Sequence, residues 1–192
     1  MNIKGNEDLR VQKTISSIKE AFNKLIIEKD FEKMDVKEVC QIALINPKTF
    51  YHYYGSLNDL LMEIHMDATN DFLKILSKYK IPDELKEFNE EFFADLSNRG
   101  ESYEKIMMSG NFGYIKFKTL EKILNNLYDD YDVYKNMDSF EKGVIINYIN
   151  TTILDVYRRW IDNGKKEPLS NVVDLSYNLM RYGVNGFLGK EE

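Results

Sequence analysis

Residues 35–54, DVKEVCQIALINPKTFYHYY, read as two short helices joined by a tight turn. Asp35 is an N-cap residue, and Val36, Val39, Cys40 and Ala43 follow at helical spacing. Asn46 caps the second helix. Pro47 takes its first position, where a missing N–H costs nothing. On that second helix Phe50 and Tyr54 share one side and can face a core, while Pro47, Lys48, Tyr51 and His52 share the other. No Asp or Glu occurs from Val39 to Asn58, a run of 20 residues in a chain of net charge −6. An acidic protein that clears carboxylates from one surface favours phosphate there. A short, half-buried helix pair with little room for acids has the same composition, and such pairs also serve as plain packing units.

Outward from this unit the chain reads as helix in both directions. Helix 1 is expected from Leu9 to Lys29, with Ile15, Ile18, Phe22, Leu25 and Ile26 as its apolar stripe, and Phe31 and Met34 close the following loop. Ser56 and Asp59 form an S-x-x-D start after Gly55. The helix it opens runs through Leu60, Leu61, Ile64, Ala68, Phe72 and Ile75 to about Tyr79. Further helices are expected at about 83–97, 103–109, 112–129, 138–163 and 168–185. Pro47, Pro82 and Pro168 all stand at helix starts, and no alternation of strand type persists. Asp138 and Glu141 make a D-x-x-E start, Phe140, Val144, Tyr148, Ile149, Ile153, Val156 and Trp160 follow as its apolar stripe, and Asn163-Gly164 ends that helix. The fold class is therefore all-α.

The helix-turn-helix with helix 1 resembles the N-terminal domain of the TetR family (TetR/AcrR-type) of bacterial transcriptional regulators. The family pattern runs alanine, glycine, small apolar, cap, two variable residues, Thr/Ser, apolar, Tyr, variable, aromatic or His, Phe, then a loop and Lys-x-x-Leu. This chain has Ala43, Leu44, Ile45, Asn46, Pro47, Lys48, Thr49, Phe50, Tyr51, His52, Tyr53, Tyr54, Gly55, Ser56, Leu57, Asn58, Asp59, Leu60, Leu61. It departs from the pattern at the turn glycine, here Leu44, and at the helix-opening lysine, here Leu57. A leucine at the turn either adopts another backbone shape or bears roughly 1 kcal/mol in a left-handed one. Leu57 has no charge to offer a phosphate. Further on, the run YRRWIDNGKKEPLSNVV resembles a W-x-x-x-G segment before a Pro-started helix in the C-terminal domain of one branch of the same family.

The resemblance implies a DNA-binding domain over 1–58, joined by a long helix to a helical effector-binding and dimerisation domain over 59–192. It implies a regulator, most often a repressor, that binds a palindromic double-stranded operator as a homodimer built through its last two helices. An effector, small molecule or protein, would act by moving the long helix as a lever. The implied DNA-facing residues are Lys37, Asn46, Pro47, Lys48, Thr49, Tyr51, His52 and Tyr53. Arg10 and Lys13 are either backbone contacts or ordinary surface charges. The Phe/Tyr/Met concentration that includes Phe88, Phe92, Tyr103, Met107, Phe112 and Phe117 lines an effector cavity or simply fills a core.

Other classes find little support. There is no G-x-S-x-G, C-x-x-C or glycine-rich phosphate loop, and the two histidines, His52 and His65, sit in unrelated contexts, so neither catalysis, metal nor cofactor is expected. Cys40, the single cysteine, reads as a small buried hydrophobe. No apolar run spans a bilayer and the first residues lack a signal-peptide core, so the cytoplasm is the expected compartment. The remaining alternative is a helical protein–protein module or coregulator that keeps the helix-turn-helix as a relic, a reading to which Leu57 lends itself.

Overall fold

The computed structural model describes residues 5–81, 83–108 and 137–187. Within them are eight helices and no strand: α1 (Gly5–Glu28), α2 (Val36–Ile42), α3 (Pro47–Tyr53), α4 (Leu57–Leu76), α5 (Leu85–Asn98), α6 (Glu101–Met108), α7 (Ser139–Asp162) and α8 (Leu169–Phe187), with a 3-10 turn at Phe31–Lys33. The helix expected at 112–129, with Phe112 and Phe117, lies outside the described residues. No described helix is long and apolar enough to cross a membrane.

The chain forms two compact units, Met1–Ala68 with Glu101–Ser109, and Thr69–Gly100 with Gly110–Glu192. In the first, α1 packs against α2 and α6, and α2 against α3. Its core is the stripe Ile18, Ala21, Phe22, Leu25 and Ile26 of α1, met by Val39, Cys40, Phe50, Tyr54, Leu60, Leu61 and Ile106, all buried. Each Val, Leu, Ile or Phe side chain among them contributes about 1.5–3 kcal/mol on leaving water. Ile15, expected in the stripe, is only half-buried.

Each short helix of this unit is fixed at its ends by local chemistry. Asp35 makes a full capping box: its carboxylate accepts from the Glu38 backbone N at 2.9 Å, and Glu38 accepts from the Asp35 backbone N at 3.1 Å. At the other end of α2, the Ile45 N–H reaches back to the Cys40 carbonyl at 3.0 Å and the Leu44 N–H to that of Gln41 at 3.3 Å. These two bonds define a Schellman stop, whose turning residue must be left-handed. Leu44 is that residue, with φ of 55°. The same stop closes α7, where Lys165 N–H bonds the Trp160 carbonyl and Gly164 N–H that of Ile161, but there the turning residue is Gly164 at φ 69°. One motif thus occurs twice, once with the glycine it favours and once with a leucine.

In the second unit α8 packs on α5 and α7. Phe72, Phe88, Phe92, Phe93, Ile153, Tyr157, Val172 and Val173 form its interior. The rings of Phe88 and Phe92 stack at 5.8 Å, Phe72 stands edge-on to Phe92 at 5.1 Å, and Phe93 to Tyr157 at 5.8 Å. One polar cluster sits inside this apolar packing. Asn89 is fully buried, donating from Nδ2 to the Val173 carbonyl at 2.8 Å and accepting from the Ser176 hydroxyl at 3.2 Å. A second fully hydrogen-bonded set ties α4 to α5 through Arg99, which reaches Asp71 at 3.1 Å and Asp95 at 2.7 Å.

The expected stripe of α7 splits in two. Ile149 and Ile153 are buried with Tyr157, whereas Phe140, Val144 and Tyr148, each one turn apart, are 76%, 51% and 43% exposed. With Met137, Glu141 and Ile145, the first two line a shallow apolar groove of about 290 Å³. Trp160 is anchored within its own unit, its indole N–H donating to the Glu167 carbonyl at 2.8 Å.

Candidate nucleic-acid interface

The second helix of the helix-turn-helix presents its polar side to solvent because its other side is occupied. Phe50 is fully buried and Tyr54 nearly so, and with the helix thus seated, Pro47, Lys48, Tyr51 and His52 are exposed. Tyr51 is 58% exposed, its ring standing edge-on to Phe50 at 5.6 Å. The His52 ring meets Tyr53 at 4.9 Å, also edge to face. Thr49 and Tyr53 are half-buried, at the margin of this surface. Asn46 is committed to capping: its Oδ1 accepts from the Lys48 backbone N at 2.9 Å, and Pro47 follows at the first helical position. Lys37, in the first turn of α2, is exposed.

Two acids bound the acid-free run. Glu38, the last acid before the run, forms an ion pair with Lys29, just past the end of α1. The Lys29 hydrogen bond, followed by the Asp35 backbone, holds the Glu38 carboxyl below its ordinary range. Asp59, the first acid after the run, lies in the opening turn of α4, where its backbone N donates to Ser56 Oγ at 3.2 Å. A Cβ at Gly55 would stand 2.8 Å from the Asp59 carboxylate, which would have to swing aside. Leu57 is half-buried at the start of α4. The spacing Asp35-x-x-Glu38 is itself the sequence signal for the capping role of Glu38.

Behind the exposed face, three helices meet in a hydrogen-bonded chain. The Tyr54 hydroxyl donates to Glu63 Oε1 on α4 at 3.2 Å. Lys19 of α1 donates to the same Glu63 oxygen at 2.7 Å and to Asp67 Oδ2 at 2.6 Å. No sequence motif marks these partners, which lie 9 and 44 residues apart in the chain.

The aromatic cluster considered for an effector is divided between the two units. Phe88 and Phe92 belong to the interior of the second, while Tyr103 and Met107 lie on α6 in the first. Among the described residues no group of three or more His, Cys, Asp or Glu side chains is placed to hold a metal.

The fold that carries this surface is that of TetR-type transcriptional regulators. Several solved structures match this chain, and two of them align over nearly its whole length. One is the fatty acid degradation regulator FadR from Bacillus halodurans, at a TM-score of 0.69 and 18% identity, covering 89% of this chain and 96% of that one. The other is a TetR transcriptional regulator from Streptococcus agalactiae 2603V, at 0.64 and 19% identity, covering 91% and 97%. No family model and no curated protein matches the sequence. At such identities the likeness establishes the architecture, and the surface chemistry has to be argued from this chain's own residues.

Proposed function

We propose that this protein is a homodimeric transcriptional regulator, most simply a repressor, that reads a palindromic operator with α3. The observation that carries the reading is the exposed face of Lys48, Tyr51 and His52 within a 20-residue run lacking any carboxylate, in a chain of net charge −6. Lys48 in the first turn can donate to guanine O6 or N7. Tyr51 offers its hydroxyl to a phosphate or its ring to a thymine methyl. His52 shares this face, Thr49 and Tyr53 suit phosphate contacts at its margin, and Lys37 suits the backbone or a base edge. Asn46 and Pro47 act by setting the helix start. Residues 1–58 form the DNA-binding domain in this reading, and 59–192 the effector-binding and dimerisation domain.

Dimerisation through α7 and α8 is supported by the exposed row Phe140, Val144 and Tyr148 and by the exposed Tyr182 of α8. A monomer gains nothing from leaving such a row in water. The effector, bound in the C-terminal part, is apolar or aromatic, in keeping with the few charges from Ile106 to Ile115 and with a structural relative named for fatty acid degradation. The cytoplasm is the compartment in which such a regulator works.

The test is a fluorescence-anisotropy titration of the purified protein against duplex DNA from upstream of its own gene, at low salt. Wild type should bind, with affinity falling steeply as salt rises. Lys48→Ala should weaken binding by about 1–3 kcal/mol at one base position and relax discrimination there, while Tyr51→Ala weakens binding to all sites. A wild type that binds no better than the Lys48→Ala/Tyr51→Ala double variant refutes DNA reading and leaves a protein–protein module.

A further inference from the structure

We propose that Glu63 is a positioning residue for α3, acting through the hydroxyl of Tyr54; this rests on the DNA-reading function above. α3 has only seven residues, Pro47–Tyr53. A helix of two turns is marginal by itself and takes its orientation from what it is fastened to. Its start is set by the Asn46 cap and the turn at Leu44, and its middle by the buried Phe50. Its end is set at Tyr54, whose backbone N donates to the Phe50 carbonyl at 2.9 Å and whose ring is buried. The one polar atom of that side chain bonds Glu63 on α4 at 3.2 Å.

Glu63 is in turn held from α1. Lys19 donates to Glu63 and, one helical turn along α4, to Asp67. The protonation states suit the arrangement. Burial, and after it the neighbouring Glu63 charge, push the Tyr54 phenol up to about 12, so it remains an O–H donor wherever the protein works. Burial acts to lower the Lys19 ammonium, but its bonds to Asp67 and Glu63 outweigh this and leave its pKa raised. The last turn of α3 is thereby fixed to α4 and α1 by a charge-assisted chain rather than by ring packing alone.

Fixing that end matters because a base contact tolerates a displacement of only about 0.5 Å. With the hydroxyl gone, a phenylalanine ring still fills the same buried site, so the fold survives while the orientation of α3 loosens. Contacts that depend on aim are lost, and phosphate attraction, which does not depend on aim, is kept.

The experiment compares wild type, Tyr54→Phe and Glu63→Gln by anisotropy, on the duplex from upstream of the gene and on a scrambled duplex of equal length. It is paired with amide hydrogen exchange of residues 48–54 in the free protein. Tyr54→Phe should bind the upstream duplex about three- to tenfold more weakly, the scale of one hydrogen bond to a charged acceptor that is partly in water. Its affinity for the scrambled duplex should be unchanged and its α3 amides should exchange faster. Glu63→Gln keeps an oxygen for the hydroxyl but loses the charge that Lys19 holds, so its binding to the upstream duplex should fall between wild type and Tyr54→Phe, with the scrambled duplex unaffected. Unchanged binding and unchanged exchange in Tyr54→Phe overturn the proposal, as does a Glu63→Gln variant indistinguishable from wild type in both. If wild type fails to prefer the upstream duplex, the DNA reading is at fault, and the exchange rates alone then decide whether Glu63 holds α3.

Discussion

Replacing Leu44 by glycine should make this protein more stable, although it deletes a large apolar side chain. Leu44 holds φ at 55°, and the Schellman bonds that end α2 require that shape. For a residue with a Cβ the left-handed conformation costs about 1–2 kcal/mol. Glycine removes that cost but enters with a more disordered unfolded chain, about 0.4–1 kcal/mol in the opposite direction. The lost side chain contributes little in return, since it is 91% exposed. The net is a gain of about 1 kcal/mol, which in a domain of this size raises the melting temperature by about 2–4 °C. Urea unfolding followed by circular dichroism should show a higher midpoint at unchanged slope. Leu44→Ala is the control, because alanine keeps the Cβ and hence the strain, and its midpoint should match wild type. A neutral or destabilised Leu44→Gly, or a Leu44→Ala stabilised equally, would refute the assignment of strain to this residue.

Three further outcomes follow from the second unit. Asn89→Ala leaves the Ser176 hydroxyl and one acceptance by the Val173 carbonyl without their partner in a dry interior, and should cost about 2–3 kcal/mol in chemical denaturation, against under about 0.5 for the exposed Asn98→Ala. Asp71 is held below its ordinary pKa of 3.8 by the Lys74 hydrogen bond first and then by Arg99. Its stabilising contribution is therefore full above that value and lost as pH falls through the lower folded one, so between about pH 5 and pH 2 wild type should lose more melting temperature than Asp71→Asn. Val144→Glu places charge in the exposed row of α7 and should shift sedimentation equilibrium from dimer to monomer without lowering helix content; a monomeric wild type at micromolar concentration would end the dimer proposal.

Much of the first unit was legible because its determinants are local. The Asp35 and Asn46 caps, Pro47 at a helix start, and the division of Phe50 from Lys48 and Tyr51 all depend on residues within four positions of each other. Backbone geometry alone relates such residues, so their spacing in the chain carries the information. The all-α class followed for the same reason, as a sum of local helix signals. Leu44 was an ambiguous case: the sequence marked it as misplaced for a turn, but only the tertiary structure shows that it accepts the left-handed shape rather than deforming the turn.

What the tertiary structure alone decided are contacts between residues far apart in the chain. Periodicity identifies an apolar stripe but not its partner, so Phe140, Val144 and Tyr148 read as continuous with Ile149 and Ile153, yet only the latter two are buried. The segment Glu101–Met108 reads as one more helix of the C-terminal half, and its packing on α1 places it in the first unit. Asn89 is satisfied in the core by Val173 and Ser176, 84 and 87 positions away in the chain. The chain from Tyr54 through Glu63 and Lys19 to Asp67 carries no motif at all. Its members are brought together by the packing of α1, α3 and α4, and a hydrogen bond across that distance exists only once the core has set the helices side by side.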